Sequence, residues 1–218
     1  MEKSTPAKPA DKTRADRDFA AAVQAFEGGN YDAATTKFHE AMQLASEDIV
    51  MPFAYTQALF AGGRYQEAAE ALRRALLKSS PEEEGVFYPR GLYSDESVLN
   101  KQIEQLAEAA RQNPGDGLSS LLLGYQLLGT GKLDEVAGEL EKARLNSHTN
   151  QAAALLIAVL EKNRKGRDNK TDTKPEQQEK SAAPAPAGPK GSTAATDARE
   201  DIDLPAMAMT ADKWLGKQ

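Results

Sequence analysis

The chain has 218 residues, a formal net charge of −6 and an isoelectric point near 5.1. This acidity argues against general affinity for nucleic acid or anionic lipid, so the sequence predicts no nucleic-acid partner. The chain has no cysteine, which excludes disulfides, thiolate metal ligands and cysteine nucleophiles.

The two ends of the chain differ in composition from its middle. Residues 1–13 and 164–200 are rich in Pro, Ala, Ser, Lys, Asp and Glu, so the sequence predicts a disordered N-terminal tail and a disordered linker. One folded domain is expected between them, over residues 14–163. The first residues contain no apolar core of a signal peptide, and no apolar run is long enough to span a bilayer. A soluble cytoplasmic protein with no membrane insertion is therefore expected.

The middle of the chain carries a repeat. Gly29-Asn30-Tyr31 recurs 34 residues later as Gly63-Arg64-Tyr65, and Gly131-Lys132-Leu133 stands two periods further on. Small and apolar residues recur in the same phase: Ala34 and Ala68; Phe38, Leu72 and Leu140; Ala41, Ala75 and Ala143. A period of this length indicates stacked helical hairpins, none of which can bury its apolar face alone. The sequence therefore predicts an all-α fold.

These residues resemble the tetratricopeptide repeat, a two-helix unit with small residues where its helices touch and an aromatic residue early in its second helix. The units in phase with that aromatic residue are 15–48, 49–82, 83–116 and 117–150. The resemblance is strong in the first two units, good in the fourth and weak in the third. It implies a short right-handed α-solenoid of helical hairpins, in which Gly124 occupies a close contact between two helices.

The third unit departs from the repeat where its first helix belongs. Gly85, Pro89 and Gly91 all oppose an α-helix there. The sequence predicts an ordered, non-helical segment over residues 81–94, which we call the strap. Four large side chains of the strap are expected to pack on neighbouring helices: Phe87, Tyr88, Leu92 and Tyr93. A regular second helix follows Ser94-Asp95, and a last helix over about residues 150–162 is expected to cover the fourth unit.

The resemblance also implies an inner groove lined by first-helix residues. These candidate partner-binding residues are Phe19, Val23, Phe26, Phe53, Gln57, Phe60, Leu121, Tyr125 and Leu128. The groove is apolar and aromatic, which suits an amphipathic helix or an extended apolar peptide, with Phe53 and Tyr125 as anchors. The Lys, Asn and Arg residues with which some family members grip carboxylate-terminated tails do not occur at these positions. Two alternatives stay open: a client groove, or side chains that are core or covered by the strap.

The sequence predicts no catalytic residues, no metal site and no cofactor. Its two histidines, His39 and His148, fit surface positions and belong to no cluster of ligating side chains. The expected function is a non-catalytic protein–protein interaction module or scaffold that binds a peptide or a partner helix. The alternative is a non-catalytic subunit or small-molecule binder associated with an enzyme complex.

Residues 201–218 form a separate C-terminal tail with the only tryptophan of the chain. The apolar side chains of this tail include Leu204, Met207, Trp214 and Leu215. Such a segment beyond a Pro- and Ala-rich linker is typical of a short linear motif, and a plain disordered end is the alternative. We hypothesise that residues 202–215 bind the inner groove of the same chain or of a second copy.

Overall fold

A computed structural model describes residues 9–79 and 86–171, and every regular element in these two ranges is helical. The α-helices are α1 (Pro9–Glu27), α2 (Tyr31–Leu44), α3 (Met51–Ala61), α4 (Tyr65–Lys78), α5 (Glu96–Gln112), α6 (Gly117–Gly129), α7 (Leu133–Leu145) and α8 (Asn150–Thr171). No strand occurs in the two ranges, so the all-α prediction is confirmed. None of the helices described is both long and apolar enough to cross a membrane.

Three helical hairpins share one turn geometry. Gly29, Gly63 and Gly131 have φ of 74°, 74° and 76°, a left-handed conformation that other residues rarely adopt. The residue after each glycine donates its backbone N–H to the carbonyl five residues earlier: Asn30 to Ala25 at 2.8 Å, Arg64 to Leu59 at 2.9 Å and Lys132 to Leu127 at 3.0 Å. This Schellman arrangement satisfies the last carbonyls of α1, α3 and α6 and reverses the chain in a short turn.

Small residues bring the helices of each hairpin together. Ala34, Ala68 and Ala143 are fully buried. Gly124 of α6 lies so close to α7 that a Cβ atom at this position would be 2.4 Å from Cδ2 of Leu140. The helices therefore pack with their backbones close together, as the repeat pattern predicts.

In the described residues of the third unit, 86–95 contain no α-helix where the first helix of a repeat belongs. Residues 86–89 are non-helical, and Arg90–Leu92 form a single 3-10 turn. Helices α4 and α6 contact each other directly, and α5 packs against α6. The strap from residue 86 onward is thus non-α-helical, as predicted, and residues 81–85 lie outside the described ranges.

The helical part is longer than the predicted domain at both ends. Helix α1 begins at Pro9, within the predicted N-terminal tail, and α8 ends at Thr171, within the predicted linker. Proline is well tolerated in the first helical turn, where no intrahelical partner for its missing N–H exists. At the other end, extending an existing helix costs far less than starting one, so a Lys- and Arg-containing stretch continues α8. The tail residues 201–218 lie outside the described ranges.

Candidate functional site

Most of the predicted groove residues lie buried in the interior. Phe53, Gln57 and Phe60 on α3 are at most 2% exposed, and Tyr125 on α6 is fully buried. Phe26, Leu121 and Leu128 are buried as well, whereas Phe19 and Val23 on α1 are half-buried. The predicted residues therefore do not form an open groove. Their burial agrees with the second alternative, in which these side chains are core or covered by the strap.

The strap contacts several of them: Phe26, Phe53, Gln57 and Tyr125. Val86 and Phe87 belong to the large apolar cluster of α3, α4, α6 and α8, whereas Leu92 belongs to the cluster between α1, α2 and α3. Tyr93 packs against both clusters, and its ring lies 5.0 Å from that of Phe26 in an edge-on arrangement. Residues 86–93 thus cross the inner face and join the two apolar clusters.

Aromatic rings form the centre of the contact. The Tyr125 ring stacks on Tyr88, with 4.9 Å between the ring centroids, and on Phe53, with 6.2 Å. Phe87 lies 6.4 Å from Phe53. The Tyr125 hydroxyl also donates a hydrogen bond of 2.6 Å to the backbone carbonyl of Phe87. The helices therefore hold the strap by its main chain as well as by its side chains.

A line of polar side chains runs beside the rings. The side-chain N–H of Gln126 donates to the side-chain oxygen Oε1 of Gln57 at 3.0 Å, and the side-chain N–H of Gln57 donates to the Tyr93 hydroxyl at 2.9 Å. Tyr93 in turn donates to Gln102 at 2.7 Å, and Gln102 donates to the Tyr31 hydroxyl at 3.2 Å. The line joins α6, α3, the strap, α5 and α2. Because buried polar groups need partners, it fixes the position of Tyr93.

Sequence reasoning included Gln57 but missed Gln102 and Gln126 as part of this arrangement. The sequence did contain a signal for a polar contact, because Gln102 and Gln126 both stand at positions where the neighbouring residues belong to the core. Gln102 stands where the repeat has a small second-helix residue, and Gln126 interrupts an apolar run on α6. Gln102 is 8% and Gln126 5% exposed. A buried glutamine in a repeat core is thus a marker for a polar contact between elements.

Tyr88 differs from its neighbours, because its hydroxyl is buried and has no hydrogen-bond partner among the described residues. Its ring packs on the backbone of Gly129, where a Cβ atom would be 2.5 Å from Cδ1 of the ring. A small cavity of about 10 Å³ adjoins Tyr88, Pro89 and Thr130. Burial raises the pKa of the Tyr88, Tyr93 and Tyr125 phenols well above the usual range, so all three are neutral hydrogen-bonding groups.

We expect Gly129→Ala to destabilise the protein by about 1–3 kcal/mol, because the added methyl group collides with the Tyr88 ring. The matched control is Gly138→Ala in α7, where a Cβ atom meets nothing within 4 Å. Alanine should stabilise that exposed helical position by up to about 1 kcal/mol. Urea unfolding followed by circular dichroism measures both changes. Equal effects of the two substitutions would show that Tyr88 does not pack as described.

A separate feature is a cleft at the surface of α4. This cleft of about 490 Å³ is lined by Tyr55, Glu70, Arg74, Leu118 and His148. His148 Nε2 lies 3.0 Å from the Glu70 carboxylate, so the turn before α8 contacts α4 across the cleft. Two hydrogen bonds from the Arg73 guanidinium, followed by that of His148, lower the pKa of Glu70 from the ordinary 4.5 to about 2.

The lowered pKa of Glu70 makes its contribution to stability dependent on pH. A depressed carboxyl pKa stabilises the fold above the unfolded value of 4.5, and this contribution is lost as the pH falls towards 2. Glu70→Gln should therefore cost about 0.5–1 kcal/mol at pH 7, a value reduced for partial solvent exposure. The difference from the wild type should shrink below pH 4.5. Unfolding experiments over a pH series, with the exposed Glu104→Gln as control, test this; a pH-independent difference would contradict it.

Within residues 9–79 and 86–171 no group of three or more His, Asp or Glu side chains could hold a metal ion. The tail residues Leu204, Met207, Trp214 and Leu215 lie outside the described residues, so their proposed binding to the groove stays a hypothesis.

Fold and site together define an all-helical protein of paired hairpins whose inner face is occupied by a segment of its own chain. Models of known protein families give no match to the chain. A comparison with curated protein sequences likewise gives no match.

Proposed function

We propose that this protein is a non-catalytic interaction module of the tetratricopeptide type, which binds an extended peptide on the inner face of α3 and α6. The observation that carries the proposal is the hydrogen bond from the Tyr125 hydroxyl to the Phe87 main-chain carbonyl. A surface that holds an extended chain by its backbone and by side-chain pockets has the properties of a peptide-binding site.

The inner face supports a peptide ligand better than a small molecule. The cavity beside the strap has a volume of about 10 Å³, whereas sites for small molecules usually have at least about 300 Å³. A segment with several aromatic side chains, in contrast, is already held between α3, α5 and α6, namely the strap itself. In this proposal the strap occupies the place that a partner peptide takes.

Selection from a random peptide library against the immobilised full-length chain tests the proposal. We expect enriched peptides that are rich in aromatic residues. Hydrogen exchange of the chain with such a peptide should show retained protection in α3 and α6 and faster exchange in residues 86–93, because the peptide replaces the strap. Peptides that protect only another face of the protein, or no enrichment at all, would refute binding at the inner face.

A further inference from the structure

The contacts of the strap indicate which chemical groups the proposed ligand needs. This inference rests on the proposed function. Each strap side chain meets a distinct environment on the helices. Phe87 and Leu92 are buried in apolar clusters, and Pro89 is buried beside them. Arg90, in contrast, keeps 35% of its side chain exposed and pairs with Glu96, whose side chain is 73% exposed. The first three positions therefore require apolar groups, whereas the position of Arg90 accepts many side chains.

At the Tyr88 position the site prefers phenylalanine over tyrosine. The ring stacks on Tyr125 and packs on Gly129, so an aromatic ring is required. The hydroxyl group is buried and has no hydrogen-bond partner within residues 9–79 and 86–171. No described protein group replaces the contacts with bulk water that this hydroxyl loses on burial, which opposes binding. Phenylalanine keeps the stacked ring and removes this cost.

At the Tyr93 position the preference is reversed. The Tyr93 hydroxyl accepts a hydrogen bond from Gln57 and donates one to Gln102. Phenylalanine here would leave the side-chain N–H of Gln57 and the side-chain oxygen of Gln102 without this partner. A site built to hydrogen-bond a hydroxyl group rejects the analogue that lacks it, because its own polar groups then stay unpaired.

A free peptide can also adopt the backbone conformation of the strap. Arg90 N–H donates to the Tyr88 carbonyl at 2.8 Å, and Tyr93 N–H donates to the Arg90 carbonyl at 3.0 Å. These bonds are local, so a short peptide can form them without the rest of the chain. Proline at position 89 restricts the residue before it to extended conformations, which lowers the entropy lost on binding.

From these contacts we infer the ligand class: a peptide with two consecutive phenylalanines, a proline, one variable residue, a glycine as in the strap, a leucine and a tyrosine, which forms a 3-10 turn after the proline. The strap itself differs from this pattern only at Tyr88. There the hydroxyl group, which has no partner among the described residues, weakens the binding of the strap to the helices. A partner segment with phenylalanine at this position thus fits the inner face better than the strap does. The strap retains the advantage of being tethered, which corresponds to an effective concentration in the millimolar range.

The test uses a full-length chain whose inner face is vacated by Phe87→Ser, Tyr88→Ser and Tyr93→Ser. The probes are fluorescein-labelled octapeptides with the sequence of residues 86–93, in three versions: unchanged, with Tyr88→Phe and with Tyr93→Phe. We expect the Tyr88→Phe peptide to bind about 5-fold or more tighter than the unchanged one, and the Tyr93→Phe peptide at least about 10-fold weaker. The wild-type chain, whose strap competes, should bind every version at least about 10-fold more weakly than the vacated chain.

Equal affinities for the three peptides, or equal binding of a peptide with the reversed sequence, would overturn the inferred ligand class. If the triple variant is not helical by circular dichroism, Tyr93→Ser alone replaces it, and absence of peptide binding to that chain counts against the inference. The full-length chain gives a second readout. Tyr88→Phe should raise Tm by about 2–4 °C and Tyr93→Phe should lower it; the opposite order would contradict the assigned preferences.

The inference and the proposed function can fail separately. Library peptides that bind the inner face but share a different pattern would refute the ligand class and leave the interaction module standing. Peptides that never bind α3 and α6 would refute both.

Discussion

Phe53→Ala is expected to lower the free energy of unfolding by about 3–5 kcal/mol, the usual cost of truncating a fully buried phenylalanine. Phe53 is 2% exposed and contacts both Tyr125 and Phe87, so its removal leaves a cavity between α3, α6 and the strap. Since folded domains of ordinary size are stable by only about 5–15 kcal/mol, this is a large share of the total. Guanidinium unfolding monitored by circular dichroism measures it.

The matched control for Phe53 is Phe19→Ala. Phe19 stands 34 residues earlier, at the equivalent position of the first repeat unit, but it is only half-buried on α1. Its truncation should cost about 1–2 kcal/mol, since less apolar surface returns to water. Similar losses in the two variants would show that the strap adds nothing to the burial of Phe53. The comparison also bears on binding experiments, because loss of a ligand by a Phe53 variant reports on binding only where the variant is still folded.

Gly124→Leu is expected to cost about 3 kcal/mol, at the upper end of the usual range for overpacked cores. The first added carbon would already lie 2.4 Å from Cδ2 and 2.9 Å from Cγ of Leu140. Leu140 is fully buried, so its side chain has no free space into which it can move. The α6–α7 hairpin must therefore open, which also disturbs the contact of Tyr125 with the strap. Thermal unfolding of the variant should show a clearly lower Tm.

Gly138→Leu in α7 is the control for Gly124→Leu. A Cβ atom at Gly138 meets nothing within 4 Å, so leucine there should leave stability unchanged or raise it by up to about 1 kcal/mol through its better helix propensity. If both leucine variants lost stability equally, the close approach of α6 and α7 at Gly124 would be wrong.

The helical hairpins could be predicted from the sequence because their determinants are local. Gly29 and Gly63 are required by the left-handed turn after α1 and α3, and the 34-residue spacing of such turns is visible in the sequence. The interruption of the third unit was visible for the same reason, because Pro89 and Gly91 oppose a helix whatever surrounds them. The residues at which α1 begins and α8 ends were harder to predict from the sequence. Pro9 and Thr171 lie in stretches of polar composition, where helix extension depends on the helix already formed.

The sequence by itself determined the class of fold, the hairpin turns and the interruption of the third unit. Only the tertiary structure decided what the side chains of the inner face do. The direct packing of α4 on α6 and the seating of the strap on Tyr125 join residues far apart in the chain, as does the hydrogen bond between Gln102 and Tyr31. Periodicity shows which face of a helix is apolar, but it does not show what covers that face. An apolar face is stable against a partner or against the chain itself, and here residues 86–93 pack on it.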